Sequence, residues 1–353
     1  MLITTVVAFV LLIGFLVIAH ELGHFVTARL FKVKILEFGL GYPPRLFAIK
    51  RNETEYSVNA LPIGGFVKML GEEDPNEPGS LAGKSMGARF AILSAGSVMN
   101  GLLPVVLLSA SLMIPHDVIV GQVQVGEVAP NSPAQQAGMQ PGDVILGIND
   151  RPIESTFDLL YNIQLNIGSE VTLIVRRERM TREEVKLVPR WNPPPEQGAV
   201  GISVGMTSVR RETRSLPIWE AFPLGLRKSL DMLTLGKNEV TGWFIRGIAP
   251  PVAGPVGIAQ ATGEVAKIGI PPLLEWTALI SMNFAIINLF PLPALDGGRL
   301  AFLFLEFVRR GKRVPPEKEG LVHFIGFALL ILLSLLITYQ DILRILRGES
   351  LFG

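Results

Sequence analysis

Four long apolar runs separate shorter mixed segments along the chain. The runs cover residues 2–30, 90–114, 272–289 and 322–340. Because an α-helix rises 1.5 Å per residue, about 20 apolar residues cross a hydrocarbon core of about 30 Å. The pattern therefore predicts a multi-pass α-helical membrane protein with about four transmembrane helices.

The segment 31–87, between the first two runs, has strand character. It mixes basic residues with Gly and Pro, and Thr54–Ala60 alternates between polar and apolar positions. We expect a membrane-associated β-loop. Either its edge accepts an extended substrate segment as an added strand, or the loop is a purely structural hairpin.

Residues 118–192 change character again. Val120–Val123 and Val171–Val175 have the composition of strands, and between them a short helix starts at Ser132 and stops at Gly138. The stretch predicts an inserted β-rich domain.

A run of prolines follows this domain and predicts a stiff linker. Beyond it, residues 218–244 mix apolar and charged side chains, as an amphipathic helix at a membrane interface does. We therefore expect four parts, which are two helices with the β-loop, the β-rich domain, the linker with its interfacial helix, and two last helices. Their bounds are 1–117, 118–192, 193–271 and 272–353.

Composition supports the membrane prediction and narrows the chemistry. Of the 353 residues 49% are hydrophobic and 18% are charged, and the mean hydropathy is +0.42. The net charge of +1 says little about partners, and we expect a lipid bilayer but no nucleic acid among them. The chain has no Cys, so any metal site must use His and carboxylate ligands. The N-terminal run lacks a basic start and a cleavage site, so we expect it to be retained.

The first apolar run contains three ionisable side chains, His20, Glu21 and His24. On a helix the two imidazoles lie one turn apart on the same face and can reach one ion, with Glu21 beside them to hold a water. A chance match, or a pair of hydrogen-bonded core histidines, is the alternative. At membrane depth such groups cost several kcal/mol unless they are paired or bind a metal, which favours the metal site.

A second candidate segment follows the third apolar run. Pro291 and Pro293 must break or kink a helix there, and Asp296 follows, directly before Gly297 and Gly298. Opened backbone at membrane depth is tolerated only where it lines an enclosed cavity. Alone this segment would predict a turn. Together with a His pair that lacks a third protein ligand, it indicates a catalytic metal site, because catalytic zinc usually has three protein ligands.

Two resemblances rest on these motifs. The stretch Ala129–Asn149 resembles a bacterial PDZ domain. The whole chain resembles the site-2 protease family of intramembrane zinc metalloproteases, near the bacterial regulator of sigma-E protease type. That resemblance is carried by His20–His24, Leu61–Glu72, the PDZ-like stretch, Gly254–Ile258 and Asn283–Gly298.

The family resemblance implies roles for particular residues. His20, His24 and Asp296 would bind Zn²⁺, and Glu21 would be the general base. The residues implied to engage or position the substrate are Ile63, Gly64, Gly65, Phe66, Asn283 and Asn288. The second run departs from the usual family pattern, because Ala95-Gly96-Ser97 leads to Asn100-Gly101. We interpret Gly96 and Gly101 as sites of close helix packing.

The resemblance implies a metalloendopeptidase that cleaves a peptide bond within a transmembrane segment, such as that of an anti-sigma factor or a signal-peptide remnant. Its substrates would be trimmed first by another protease, with the PDZ-like domain as a size filter. Two alternatives stay open, a non-proteolytic scaffold with a peptide-binding PDZ domain and a zincin that cleaves soluble peptides at the membrane surface.

The basic loop at 309–318 and the segment 31–89 are expected on the cytoplasmic side, because positively charged loops stay inside. With four spans, the PDZ-like domain and both termini would then lie outside the cytoplasm. The expected location is the bacterial inner membrane.

Overall fold

The computed structural model describes residues 2–72, 77–177, 181–247 and 253–347, apart from the side chains of Leu2, Tyr42, Pro62 and Ile63. The chain forms two compact units. The first combines Met1–Ser111 with Val252–Gly353, and the second is Leu112–Pro251.

The described part of the chain contains helices and strands in both units. The helices are α1 (Leu2–Leu30), α2 (Met86–Met113), α3 (Pro133–Gln136), α4 (Thr156–Leu165), α5 (Ile218–Arg246), α6 (Pro255–Ile268), α7 (Ile270–Leu289), α8 (Asp296–Val308) and α9 (Pro316–Leu346). The strands are β1 (Ile35–Arg51), β2 (Thr54–Met69), β3 (His116–Val128), β4 (Val144–Ile148), β5 (Arg151–Pro152), β6 (Val171–Arg176), β7 (Arg182–Leu187) and β8 (Ile202–Arg214).

Four of these helices are long and apolar enough to cross a membrane, which confirms the four predicted spans. They are α1, α2, α7 and α9. In α2, 56% of the most apolar stretch is buried within the protein, against 6% in α9. The second span is therefore central to the first unit, while the last span presents its side chains outward, as a lipid-facing helix does.

The β-loop folds back on itself. Residues 35–40 of β1 pair with both ends of β2, so that 65–69 forms one edge of the sheet and 45–51 the other. Just past the first edge, the N–H groups of Leu81 and Ala82 donate to the carbonyls of Leu70 and Gly71. The strands predicted for this segment are thus present, and their 65–69 edge ends where that short crossing segment covers it.

The second unit is built on a sheet with strand order β7-β6-β4-β3-β8, and β5 pairs with β4. Its core is an apolar cluster that includes Val123, Ile145 and Leu173. The predicted short helix is α3, where the Ser132 hydroxyl accepts a hydrogen bond from the Gln135 N–H. These features confirm the β-rich character expected of the segment.

The sheet extends beyond residue 192, where the sequence led us to end this domain. Strand β8 pairs with β3 from Ile202 to Arg214. The proline-rich segment before it is therefore a loop between two strands of one sheet. Local composition alone could not distinguish such a loop from a linker that ends the domain. The predicted amphipathic helix is present as α5, and its place at a membrane interface stays a prediction.

Candidate metal centre

The two histidines of the first span meet as their spacing predicts. They lie one turn apart on α1, and their Nε2 atoms are 3.3 Å apart. The Nδ1 atom of His24 lies 2.8 Å from the carbonyl oxygen of Ile92 on α2. A carbonyl only accepts, so this Nδ1 carries the proton and the Nε2 lone pair is free for an ion.

The third side chain comes from the C-terminal segment of the first unit. Asp296 is the first residue of α8, and its Oδ2 atom lies 3.1 Å from the Nε2 atoms of both His20 and His24. The structure therefore brings together the two segments that the sequence pairs. Its N, N, O donor set suits a divalent zinc ion.

The loop before Asp296 is held by the last span. Ala294 adopts a positive φ of 72°, and its N–H donates to Nδ1 of His323 on α9 over 2.8 Å. Next to it, a Cβ at Gly326 would overlap Pro293. Sequence analysis missed the contribution of His323, although a lone imidazole within an apolar run was a usable signal.

The two glycines after Asp296 are required by close backbone contact. A Cβ at Gly297 would overlap the carbonyl of Phe290, and one at Gly298 would overlap the carbonyl of Leu292. The loop thus passes directly over the first turn of α8, which fixes the position of the Asp296 carboxylate.

The donor atoms of His20, His24 and Asp296 all lie within 4.8 Å of one another, and the described residues contain no second group of this kind. A Cβ at Gly96 on α2 would overlap the Nε2 atoms of both imidazoles. The lack of a side chain at Gly96 therefore leaves space for the two imidazoles to meet where an ion would bind, and the residues fit zinc. The interpretation of Gly96 as a packing site thus gains a specific reason. A Cβ added at Gly101, by contrast, would lie only at ordinary contact distance from Ala285.

Glu21 follows His20 on α1 and faces the edge of the β-loop. A Cβ added at Gly65 would lie 3.0 Å from Cγ of Glu21 and 3.0 Å from Cγ1 of Val17. The backbone at this edge thus runs directly beside the Glu21 side chain. Because no side chain intervenes at Gly65, an extended peptide at this edge would come close to that carboxylate.

The other residues predicted to bind the substrate lie on β2 and α7. Gly64 precedes Gly65 with a φ of 87°, Phe66 is half-buried in β2, and the side chain of Ile63 lies outside the described part of the structure. On α7, Asn283 is exposed and Asn288 is half-buried. Their roles toward a substrate stay predictions.

An ion pair joins the β-loop to the helix that carries Asp296. Nη1 of Arg299, one turn beyond Asp296, lies 3.0 Å from Oε2 of Glu72, just past the end of β2. The edge beside Glu21 and the helix that carries Asp296 are therefore held to each other as well as to α1.

Comparison with known proteins gives a consistent result. The family model described as peptidase family M50 matches residues 8–333. The chain is 31% identical to the zinc metalloprotease RasP of Oceanobacillus iheyensis, covering 97% of this chain and 99% of that protein. It is 30% identical to the regulator of sigma-W protease RasP of Bacillus subtilis, covering 98% and 100%. A Clostridium acetobutylicum relative with a provisional zinc metalloprotease name is 38% identical over 96% of this chain and 97% of its own.

Proposed function

The chain belongs to peptidase family M50, the site-2 protease family of zinc metalloendopeptidases, and we propose that His20, His24 and Asp296 bind its zinc ion with Glu21 as general base. The observation that carries this proposal is the convergence of three donor atoms from α1 and α8 beside Glu21. Among the described residues, no Lys or Arg lies within ion-pair distance of Asp296, as a purely structural acid would require.

Zinc bound here would polarise the scissile carbonyl and make a water acidic enough to attack near neutral pH. The proton transfers are carried out by a residue of the chain. Glu21 takes a proton from the attacking water and passes it to the leaving nitrogen of the cleaved peptide bond. Because a Cβ at Gly65 would lie only 3.0 Å from Cγ of Glu21, a peptide lying along that edge would pass close to the Glu21 carboxylate.

The substrate is a transmembrane segment that is locally extended at the site. A peptide bond inside an intact helix is shielded by helical hydrogen bonds, so the segment must unwind before it can add to the edge at 65–69 as a strand. Asn283 and Asn288 lie before the Pro291 loop and would hold the opened backbone of the substrate. Helix-breaking residues in a substrate should therefore speed its cleavage.

The depth of the site supports cleavage within the membrane over cleavage of soluble peptides at its surface. His20 lies ten residues before the end of α1 at Leu30, a distance of about 15 Å along the helix axis. Half of a hydrocarbon core is about 15 Å thick, so the ligands lie well inside the span.

The orientation follows from the basic segments. Nη2 of Arg313, in the loop before α9, donates to the carbonyl of Ala82 over 2.7 Å. Both segments were expected on the cytoplasmic side, and this contact supports their lying on one side. The second unit and both termini would then face outward from a bacterial inner membrane.

The substrate class follows from one relative. The Bacillus subtilis protein is named a regulator of sigma-W protease, which suggests an anti-sigma factor as substrate of this chain too. We propose that such substrates arrive already trimmed by another protease, and that the second unit, acting as a PDZ domain, excludes untrimmed ones. Deleting that unit should then permit cleavage of untrimmed substrate.

The decisive experiment compares the purified parent protein with Glu21→Gln in detergent. A single-span model substrate is offered, the cleavage position is mapped by mass spectrometry, and bound zinc is measured. We expect cleavage within the span by the parent alone, with zinc retained in both proteins. Bound zinc without cleavage of any span would favour the scaffold alternative, and cleavage outside the span would favour the surface zincin.

A further inference from the structure

A buried amide lies behind the first zinc ligand. Asn100, on α2, is fully buried, and its side-chain amide lies 3.4 Å from Nδ1 of His20. The other end of this amide has no hydrogen-bond partner among the described residues. Burying an unpaired amide oxygen costs about 1–3 kcal/mol of stability. We therefore expect Asn100 to have a function that offsets this cost.

The geometry of the ligands determines what that role requires. If the Nε2 atom of His20 binds the metal, the neutral ring carries its proton on Nδ1, and this N–H needs an acceptor. His24 meets the same requirement through the carbonyl of Ile92. For His20, the side chain that the structure places at Nδ1 is Asn100.

The amide nitrogen of Asn100 faces His20 in the structure, and a nitrogen of this kind donates but does not accept. A half-turn about the Cβ–Cγ bond exchanges the amide nitrogen and oxygen. The oxygen that lacks a partner would then accept the Nδ1–H of His20. The rotation pairs the amide oxygen with the Nδ1–H of His20 and moves the amide nitrogen to the position that the oxygen leaves. Metal binding at Nε2 of the same ring favours it, because it places the ring proton on Nδ1.

We propose that Asn100 is a positioning residue for the zinc site, accepting a hydrogen bond from Nδ1 of His20 and so fixing the tautomer and orientation of that ligand. This inference rests on the proposed function. The backbone around Asn100 is itself anchored, because its carbonyl accepts a hydrogen bond from Ser281 Oγ on α7 over 2.8 Å. The acceptor therefore has a fixed position relative to His20.

The test measures metal binding in the full-length protein. Asn100→Asp keeps an acceptor at the same place, whereas Asn100→Leu has nearly the same size and accepts nothing. Loss of such a partner typically weakens metal affinity 10- to 100-fold. We expect that loss in Asn100→Leu, with affinity in Asn100→Asp within threefold of the parent. With Co²⁺ as probe, the visible absorption of the parent should be retained in the Asp variant and changed in the Leu variant.

Ser94→Ala is the matched control, because Ser94 is buried on the same helix and its hydroxyl donates to the carbonyl of Phe90. It should leave metal affinity unchanged. The proposal is overturned if Asn100→Leu keeps the parent affinity and spectrum, or if a folded Asn100→Asp loses the metal. The second outcome can be read even if the Leu variant does not fold. His20→Ala must lose the metal in the same assay, and its failure to do so would overturn the ligand assignment itself.

Discussion

The two units of the molecule bury aspartates in opposite ways. In the second unit, Asp231 is buried and accepts two hydrogen bonds, of 2.6 and 2.8 Å, from the guanidinium of Arg151. Hydrogen bonding to this carboxylate raises the pKa of Arg151. Asp143 is buried beside Arg177 at 3.0 Å. In the first unit, Asp296 faces two imidazoles. A carboxylate beside a guanidinium has its charge balanced, whereas one beside imidazoles is balanced only when an imidazole is protonated or a cation binds.

The first unit itself contains a buried acid of the other kind. Its buried Glu306 lies between Arg89, at 2.8 Å, and Arg313, at 3.2 Å. The same unit thus uses arginines where a carboxylate serves only the structure. The absence of an arginine at Asp296, among the described contacts of that side chain, supports its proposed role as a metal ligand rather than a structural acid.

The largest effect is expected from Asp296→Ala, which removes one of the three proposed zinc ligands. Bound zinc should fall to background and proteolysis should fall by at least about 10³-fold, because the metal supplies several kcal/mol of transition-state stabilisation. Zinc content and cleavage of the model substrate measure this. Asp231→Asn in the second unit is the paired control and should retain zinc. Equal zinc loss in both variants would show that the comparison reports only general unfolding.

The next effect separates binding from chemistry at the same site. Glu21→Gln should retain zinc, because Glu21 is not among the donors, and should lower the cleavage rate about 10²- to 10⁴-fold, the usual contribution of a general base. Single-turnover cleavage measures the rate. A variant with full activity and intact folding would exclude Glu21 as the base.

A pair of glycines on α2 gives a smaller, steric effect. Gly96→Ala should push its new methyl group against both ligand imidazoles and weaken zinc binding about 10- to 100-fold, as loss of ligand orientation does. Gly101→Ala, one and a half turns further on, places a methyl group at ordinary contact distance from Ala285. A chelator competition should distinguish the two. Equal affinities would mean that the space at Gly96 does not serve the metal.

Sequence and structure agree where a local pattern is sufficient. Helical spacing brings His20 and His24 together, and apolar run length identifies the spans. The hydrogen-bond partner of each buried group is determined by tertiary structure. That Ile92 supplies a carbonyl to His24, or that His323 holds Ala294, depends on how α1, α2 and α9 meet, and no spacing within one segment carries that information. Strand β8 escaped prediction for the same reason, because its register with β3 is set by a pairing across about 90 residues of chain.

The smallest effect at the metal site, but a large one on stability, should come from Asp231→Ala in the second unit. It removes the carboxylate from the half-buried Arg151, and losing a hydrogen bond to a charged group costs about 1.5–3 kcal/mol. Thermal unfolding should therefore shift downward while zinc affinity stays within twofold of the parent. Asp150→Ala is the matched control, since its ion pair with Arg227 is exposed and should leave the transition unchanged. A coupled loss of zinc in Asp231→Ala would contradict the separation of structural and metal-binding acids, because it would mean that the ion pair of the second unit also supports the ligands of the first.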